Sequence, residues 1–320
     1  MAILRELHAR YRRAGADLPF GDPRRAHGVG MEGYYWRLTD PRAGRVVIAL
    51  CGLCAAPGGR WALVALAAHP EGIVRHALVP VASADPRGLG VRAGEVLIAD
   101  AGRLRVDLGD GARLDVSLAA GVPWPRRALG GSGVGQVIPG LGQYWHPHLL
   151  GGEVDGHAEL GAEQVDIRDA VPYAEKNWGS AFAGRWWWGQ AQGFDDPEVC
   201  VAFAGGRLQL GRATVAPTAL VVRLGDDVLR LAPPLARTVA AVGADSWNVR
   251  GRQGRLSVEL HGSGGGDSAA LLPVPVPLER RVERRSRQVL AGRLAVVVRR
   301  GARVIYRGES SFAGLERDAG

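Results

Sequence analysis

The spacing of turns constrains this chain most. Across residues 45–118, apolar-rich runs of roughly 6 to 10 residues alternate with Pro-Gly-Gly, His-Pro-Glu-Gly and Gly-Asp-Gly. That length and punctuation fit antiparallel strands joined by tight turns. No helical crossover separates the runs, which disfavours a parallel sheet. Their even spacing predicts a sandwich or barrel, architectures that cover or close their edges. With 47 glycines and 19 prolines among 320 residues, long helices are not expected anywhere. A second series of strands is expected over 199–204, 219–224, 228–231, 246–250 and 256–261, with a final hairpin over 294–298 and 304–306. The fold class is all-β, with two antiparallel β-barrel or sandwich domains and a short N-terminal helix. Residues 1–26 form the helix and a loop, 27–195 the first domain and 196–320 the second, with Asp195-Asp-Pro-Glu198 as the turn between them.

The helix, over residues 3–14, carries Ile3, Leu4, Leu7 and Tyr11 on one side and arginines around the rest. Packing against a barrel and lying on a membrane surface both suit it. The loop that follows is broken by Pro19, Gly21 and Pro23. No apolar run reaches the ~18 residues of a spanning helix. Arg5, Glu6 and His8 in the first turns argue against a signal peptide, so a cytoplasmic location is expected. A net charge of +8 invites an anionic partner, but the arginines are scattered, and no aromatic residues interleave with the densest cluster at 280–287. Nucleic acid is therefore not the expected partner, and peripheral contact with an anionic membrane fits better. Three cysteines build no disulfide framework. Cys51 and Cys54 fall in a strand-like run, not at the strand-to-helix turn of a redox motif, and read as buried thiols.

The most specific window is 173–190, Tyr-Ala-Glu-Lys-Asn-Trp-Gly-Ser-Ala-Phe-Ala-Gly-Arg-Trp-Trp-Trp-Gly-Gln, which holds four of the nine tryptophans. Lys176 is the only lysine among the 40 lysines and arginines, so a compact ammonium is expected where a guanidinium fork would not fit. Glu175 beside it is either held ionised by that charge or kept protonated by aromatic surroundings. Alternation sets Trp186 and Trp188 on one strand face and Trp187 on the other. A tryptophan-rich core closed by an ion pair and a ligand site both satisfy this pattern.

Two other stretches carry candidates. In the first strand Glu32, Tyr34 and Trp36 share a face, making Glu32 a second acid candidate, with a rim salt bridge as its plainer role. In Gln143-Tyr-Trp-His-Pro-His148, His146 and His148 would share a face of a regular strand and could chelate a metal. Pro147 between them permits that pairing only at a sheet edge. Lining a pocket or capping a strand end is the preferred role, and no metal is assigned.

Glu175-Lys-Asn-Trp-Gly179, with Phe182, Arg185-Trp-Trp-Trp188 and Gln190, resembles the signature of the tocopherol cyclase family. Met31-Glu-Gly-Tyr-Tyr-Trp36 is similar to that family's opening strand and Ser310-Ser-Phe-Ala-Gly-Leu-Glu316 to its closing segment; Ala183 stands where the family has a proline. The resemblance implies a two-domain lipocalin-like fold and cofactor-free, acid-initiated cyclisation of a prenylated quinol to a chromanol. On that reading the expected partner is a hydrophobic isoprenoid substrate. Glu175 is the acid or the group that orients Lys176, and Trp178, Trp186 and Trp188 line the pocket. Tyr34, Tyr144, His146 and Asn177 are candidates for the quinol hydroxyls, and Glu32, Trp36 and Gln190 complete the substrate-binding set. A non-catalytic isoprenoid or lipid carrier and an isoprenoid hydratase on the same fold remain open.

Overall fold

A computed structural model describes residues 1–18, 21–125, 128–210 and 212–320; Pro19 of the N-terminal loop lies outside them. The chain divides into two compact units. The first comprises Met1–Gly130, Gln136–Phe182 and Pro273–Arg284, and the second Gly131–Gly135, Ala183–Leu272 and Arg285–Gly320.

In the first unit, α1 (Ala2–Arg13) precedes thirteen strands: β1 (Met31–Asp40), β2 (Arg45–Ala56), β3 (Gly59–His69), β4 (Ile73–Val79), β5 (Ala82–Ala84), β6 (Val91–Ala93), β7 (Leu97–Ala99), β8 (Arg103–Asp107), β9 (Ala112–Ala119), β10 (Gln143–Leu149), β11 (Glu153–Leu160), β12 (Glu163–Ile167) and β13 (Val171–Gly179). They form a six-stranded sheet ordered β10-β13-β1-β2-β3-β4 and a seven-stranded sheet ordered β12-β11-β9-β8-β7-β6-β5. One apolar core joins the two, built from Trp36, Leu38, Val47, Leu66, Leu104, Leu114 and Val116 among others.

The two sheets read differently because their surroundings differ. In β9 Ala112, Leu114 and Val116 face the core while Arg113, Asp115 and Ser117 alternate outward, the pattern of a sheet wetted on one side. In β2 residues 46–49 and 51–54, and in β3 residues 61–68, are buried in consecutive runs, so these segments are apolar without alternation. Cys51 faces the inter-sheet core and Cys54 a second apolar cluster with Met31, Trp61 and Leu63. Three residues apart on one strand, the two thiols point to opposite faces. Burial pushes that of Cys54 up to about 12 and that of Cys51 higher. The β2–β3 turn needs Gly58, whose φ is +83°.

The second unit carries β14 (Trp186–Ala191), β15 (Val199–Gly206), β16 (Leu208–Leu210), β17 (Ala213–Val215), β18 (Thr218–Leu224), β19 (Asp227–Leu231), β20 (Arg237–Val242), β21 (Ser246–Gln253) and β22 (Leu256–Ser263). Three further strands complete its sheet: β23 (Ala269–Val276), β24 (Arg281–Arg300) and β25 (Arg303–Asp318). The main sheet runs β19-β18-β15-β14-β25-β24-β22-β21-β20, with β23 on β24. Its two ends approach where the Thr238 hydroxyl donates to the Thr218 carbonyl at 2.6 Å, so the sheet curls almost closed around Phe203, Leu220, Trp247 and Leu315. The all-β class expected from turn spacing is the class observed.

Two expectations move. The division of the chain falls at Phe182/Ala183 and not at 195. Asp195-Asp-Pro-Glu198 turns β14 into β15 inside the second unit, because Ala191, Phe194 and Val199 all enter one core. In α1, Tyr11 packs against Ala16, Tyr144 and Trp178, but Ile3, Leu4 and Leu7 are exposed. The helix is therefore held from its middle onward, by His8 to the Leu18 carbonyl, by Tyr11 and by Arg12 to Asp17.

Candidate functional site

Register decides which residues meet. β1 lies between β2 and β13, with Glu32 opposite Trp178, Tyr34 opposite Lys176 and Trp36 opposite Ala174. β10 sits on the other side of β13, with Tyr144 opposite Trp178 and His146 opposite Lys176. Residues directly opposite share a face, so Glu32, Tyr34, Trp36, Tyr144, His146, Lys176 and Trp178 lie on the inner face, turned toward the second sheet of the same unit. Successive residues alternate, so Glu175 and Asn177 lie on the outer face. The expected pairing of Glu175 with Lys176 is thus corrected, since neighbours on a regular strand point apart.

The ammonium of Lys176 finds Glu32 instead, at 3.3 Å. It also donates to the Ala26 carbonyl at 2.6 Å and lies 5.3 Å from the Tyr34 ring centroid and 5.7 Å from that of Trp178. Glu32 Oε2 is 2.7 Å from His27 Nδ1 and accepts from the Tyr34 hydroxyl at 3.0 Å. Oε1 accepts from the Gly28 N–H and from Arg60 Nη1, both at 3.2 Å. Neither Glu32 nor Lys176 has solvent access. Burial works to raise the Glu32 pKa, but His27, Lys176 and Arg60 outweigh it and hold the carboxyl well below the carboxylate range. Burial lowers the pKa of Lys176, with Glu32 opposing.

Ringed by His27, Lys176 and Arg60, the buried Glu32 carboxyl favours its ionised form. Glu32 is therefore the centre of a charge cluster and not a rim salt bridge. Its work is to fasten the loop of Ala26, His27 and Gly28 to β1 and β13.

Aromatic packing completes the inner face. Trp178 Nε1 donates to the Gly15 carbonyl at 2.7 Å and its ring stacks on Tyr144 at 5.7 Å. The Tyr144 hydroxyl donates to the Ile138 carbonyl at 2.6 Å, and Trp36 stacks on Tyr34 at 6.1 Å. His146 lies edge-on to Trp124 at 5.1 Å. Burial pushes its pKa well down, and that of His148 to about 3. β10 is the sheet-edge strand that Pro147 requires, and its register slips between Pro147 and Leu149, so the two histidines do not continue one regular ladder.

The outer face of the same strands is built otherwise. The buried Glu175 carboxyl accepts from Trp145 Nε1 at 2.7 Å and from the Tyr173 hydroxyl at 2.5 Å, both on Oε2. Tyr35 of β1 lies directly opposite Glu175. The fully buried Arg37, opposite Tyr173, has Tyr35 as a hydrogen-bond partner, and burial lowers its pKa. Asn177, two residues on, is half-buried, and its Oδ1 has no hydrogen-bond partner among the described residues. Across from it stands Gly33; a Cβ there would lie 2.5 Å from that oxygen, so glycine makes the room Asn177 occupies. A buried carboxyl and an amide oxygen without a partner among the described residues thus share one face with Tyr35, Tyr173 and Trp145, a set able to exchange hydrogen bonds with a hydroxyl group.

The remaining candidates belong to the second unit. Trp186, Trp188 and Gln190 are buried on one face of β14, while Trp187 packs toward the core and donates from Nε1 to Thr218 Oγ1 at 3.1 Å. They are not neighbours of Trp178 within one unit. Sequence reasoning missed His27, Arg60, Tyr173 and Trp145. Tyr173 was open to it, being two residues before Glu175 on the same strand, but the others required the register.

A family model described as tocopherol cyclase-like matches residues 132–318, more than half of the chain. The match contains β13 and β14 and leaves the Met31–Trp36 segment outside. The chloroplastic tocopherol cyclase of Zea mays is 26% identical over 117 residues, which are 35% of this chain and 23% of that protein. The chain thus matches about a quarter of that relative's length. Among solved structures, CghA with Sch210972 superposes with a TM-score of 0.61 at 12% identity, covering 90% of this chain and 88% of the other. Kievitone hydratase from Nectria haematococca gives a TM-score of 0.53 at 12% identity, with the same coverage. At that identity the likeness is one of fold.

Proposed function

The chain belongs to the tocopherol cyclase-like family, and from that premise we propose that it is an acid-initiated isoprenoid cyclase acting on a prenylated quinol, with Glu175 as proton donor. The observation that carries the assignment is the placement of Glu175 away from Lys176, its carboxyl held by an indole N–H and a phenol O–H. The proton passes from Glu175 to the trisubstituted double bond of the side chain and leaves a tertiary cation. The phenol oxygen closes on that cation, forming the C–O bond, and the phenolic proton returns to the carboxylate. Atoms balance as an isomerisation, with no oxidant or reductant consumed.

Asn177 Oδ1 accepts from a quinol hydroxyl and positions it, which supplies the proximity term. Tyr35, Tyr173 and Trp145 present aromatic surface to the cation. The inner-face residues Glu32, Tyr34, Tyr144, His146, Lys176 and Trp178 serve as the scaffold on which β13 is held.

Incubation of the purified protein with a prenylated benzoquinol should yield a chromanol, and Glu175→Gln should slow its formation by about 10²–10⁴-fold while leaving ligand affinity intact. Unchanged turnover in that variant would remove the acid assignment. A hydratase uses the same acid but admits water, and a tertiary alcohol as the product would establish that reaction instead. A co-purified lipid returned unchanged, with no prenylquinol converted, would make the protein a carrier.

A further inference from the structure

The densest run of basic residues in the sequence, 280–287, is largely paired. Arg281 is bound by Glu279 and Glu283, Arg285 by Asp318 and Arg287 by Asp245. The fold assembles a less compensated concentration of positive charge elsewhere, at one end of the second unit's main sheet. There β20 begins, β21 turns into β22 and β24 turns into β25. Arg237 lies directly opposite Arg252, and Arg300 directly opposite Arg303. The Gly301 N–H donates to the Arg255 carbonyl at 2.7 Å, which joins the two hairpin tips.

These side chains face solvent. Trp247 and Val249 of β21 enter the core, so by alternation Arg250 and Arg252 stand on the opposite face, and all five arginines at the strand ends are exposed. Glu259 pairs with Arg299 at 3.3 Å, but among the described residues no carboxylate lies within ion-pair distance of those five. Like charges directly opposite one another on a sheet are destabilising, so the arrangement works against the fold. Aliphatic side chains lie between the charges: Val239 opposite Arg250, and Val304 and Ile305 next to Arg303, are all exposed. Tyr306 turns inward, edge-on to Phe194. Burial raises its pKa, and Asp196 and Asp195 add to the shift; these two acids bound the positive surface on that side.

We propose that this end of the second unit docks on the surface of an anionic phospholipid bilayer, its arginines contacting lipid phosphates and Val304 and Ile305 entering the headgroup layer. A guanidinium takes a phosphate through two parallel N–H bonds, and each positive charge held near an anionic surface adds to the attraction within a Debye length. Short aliphatic side chains among such charges add the apolar burial that an interfacial segment needs. A binder of single-stranded nucleic acid would interleave its arginines with exposed aromatic rings, whereas the exposed apolar residues here are valine and isoleucine. The proposal holds whether or not the protein converts a prenylquinol.

The test is co-sedimentation of the full chain with vesicles of phosphatidylcholine carrying about 30% phosphatidylglycerol, with vesicles of phosphatidylcholine alone for comparison. Wild type should bind the anionic vesicles at least about tenfold more tightly, and about 0.5 M salt should remove most of that preference. Arg300→Gln combined with Arg303→Gln should weaken binding at least about tenfold, since each charge near the surface is worth about fivefold. Arg237→Gln combined with Arg252→Gln should reproduce the loss. Both double variants relieve a like-charge pair and should unfold no earlier than wild type, so lost binding is not lost fold. Val304→Ser combined with Ile305→Ser should weaken binding about threefold or more, and Arg281→Gln, from the paired cluster, should stay within about twofold of wild type.

Equal binding of wild type to neutral and anionic vesicles would overturn the proposal, as would binding to neither. Wild-type affinity in either folded arginine double variant would overturn it too. Loss of binding in Leu4→Ser with Leu7→Ser, set against full retention in the arginine variants, would transfer the docking to α1. A single-stranded oligonucleotide that binds through the same arginines, while the vesicles do not, would assign the surface to nucleic acid instead.

Discussion

The two faces of β13 solve opposite problems with the same materials. On the inner face, Glu32 collects five donors, from His27, Gly28, Tyr34, Arg60 and Lys176. On the outer face, one residue away, Glu175 accepts from an indole and from a phenol on Oε2, and the Asn177 amide oxygen beside it has no hydrogen-bond partner among the described residues. Closure of its hydrogen bonds makes a carboxylate stable and chemically inert, whereas an open acceptor next to an acid costs stability and creates a place for a ligand. A motif that reads as one site is therefore two structures back to back.

The largest test of this contrast is Lys176→Met. It leaves Glu32 buried without its ammonium and should cost about 3–5 kcal/mol, read as a lowered midpoint in thermal or urea unfolding. Glu32→Gln in the same chain should restore much of that. A loss of turnover at unchanged stability would instead put the lysine into the chemistry and break the division between the faces.

Glu175→Gln should do the reverse. Turnover should fall by about 10²–10⁴-fold, while the unfolding midpoint moves by no more than the amount that corresponds to about 1 kcal/mol.

Asp17, buried on the N-terminal loop beside Arg12 at 3.1 Å, sharpens the inner face. Burial raises its pKa to about 7, with Arg12 opposing. The native state thus keeps a proton that the unfolded chain has already lost at pH 5 or 6. The stabilisation is full below the unfolded pKa of about 4 and disappears as pH rises through about 7. Asp17→Asn should match wild type at pH 4 and exceed it by about 1–3 kcal/mol at pH 8, measured as unfolding midpoints across that range.

The smallest effect is expected from Gly33→Ala. Its Cβ would lie 2.5 Å from Asn177 Oδ1, displacing the amide and raising KM several-fold, with a stability change under about 1 kcal/mol. An unaltered KM would remove Asn177 from substrate binding.

Much of the architecture was legible because it depends on local rules. Turn residues at short intervals enforce strands, and the period of two sorts Trp186 and Trp188 from Trp187 without reference to anything else in the chain. The same period already separates Glu175 from Lys176 and unites Tyr173, Glu175 and Asn177. Chemical complementarity between adjacent residues suggested an ion pair that the pleat forbids.

What lay beyond the sequence is everything set by register and by long-range closure. The partner of Lys176 is Glu32 because β1 and β13 pair with Tyr34 opposite Lys176; a slip of one residue would turn Glu32 to the other face. His27 and Arg60 arrive from a loop and from β3, and their approach depends on how the whole sheet stacks. Trp186 meets Glu316 only because β14 lies beside β25 in the main sheet of the second unit. Periodicity is a property of a few consecutive residues and can be read from them. Registry is the outcome of many burials optimised together, so only the tertiary structure decides which carboxyl meets an ammonium and which meets an indole and a phenol.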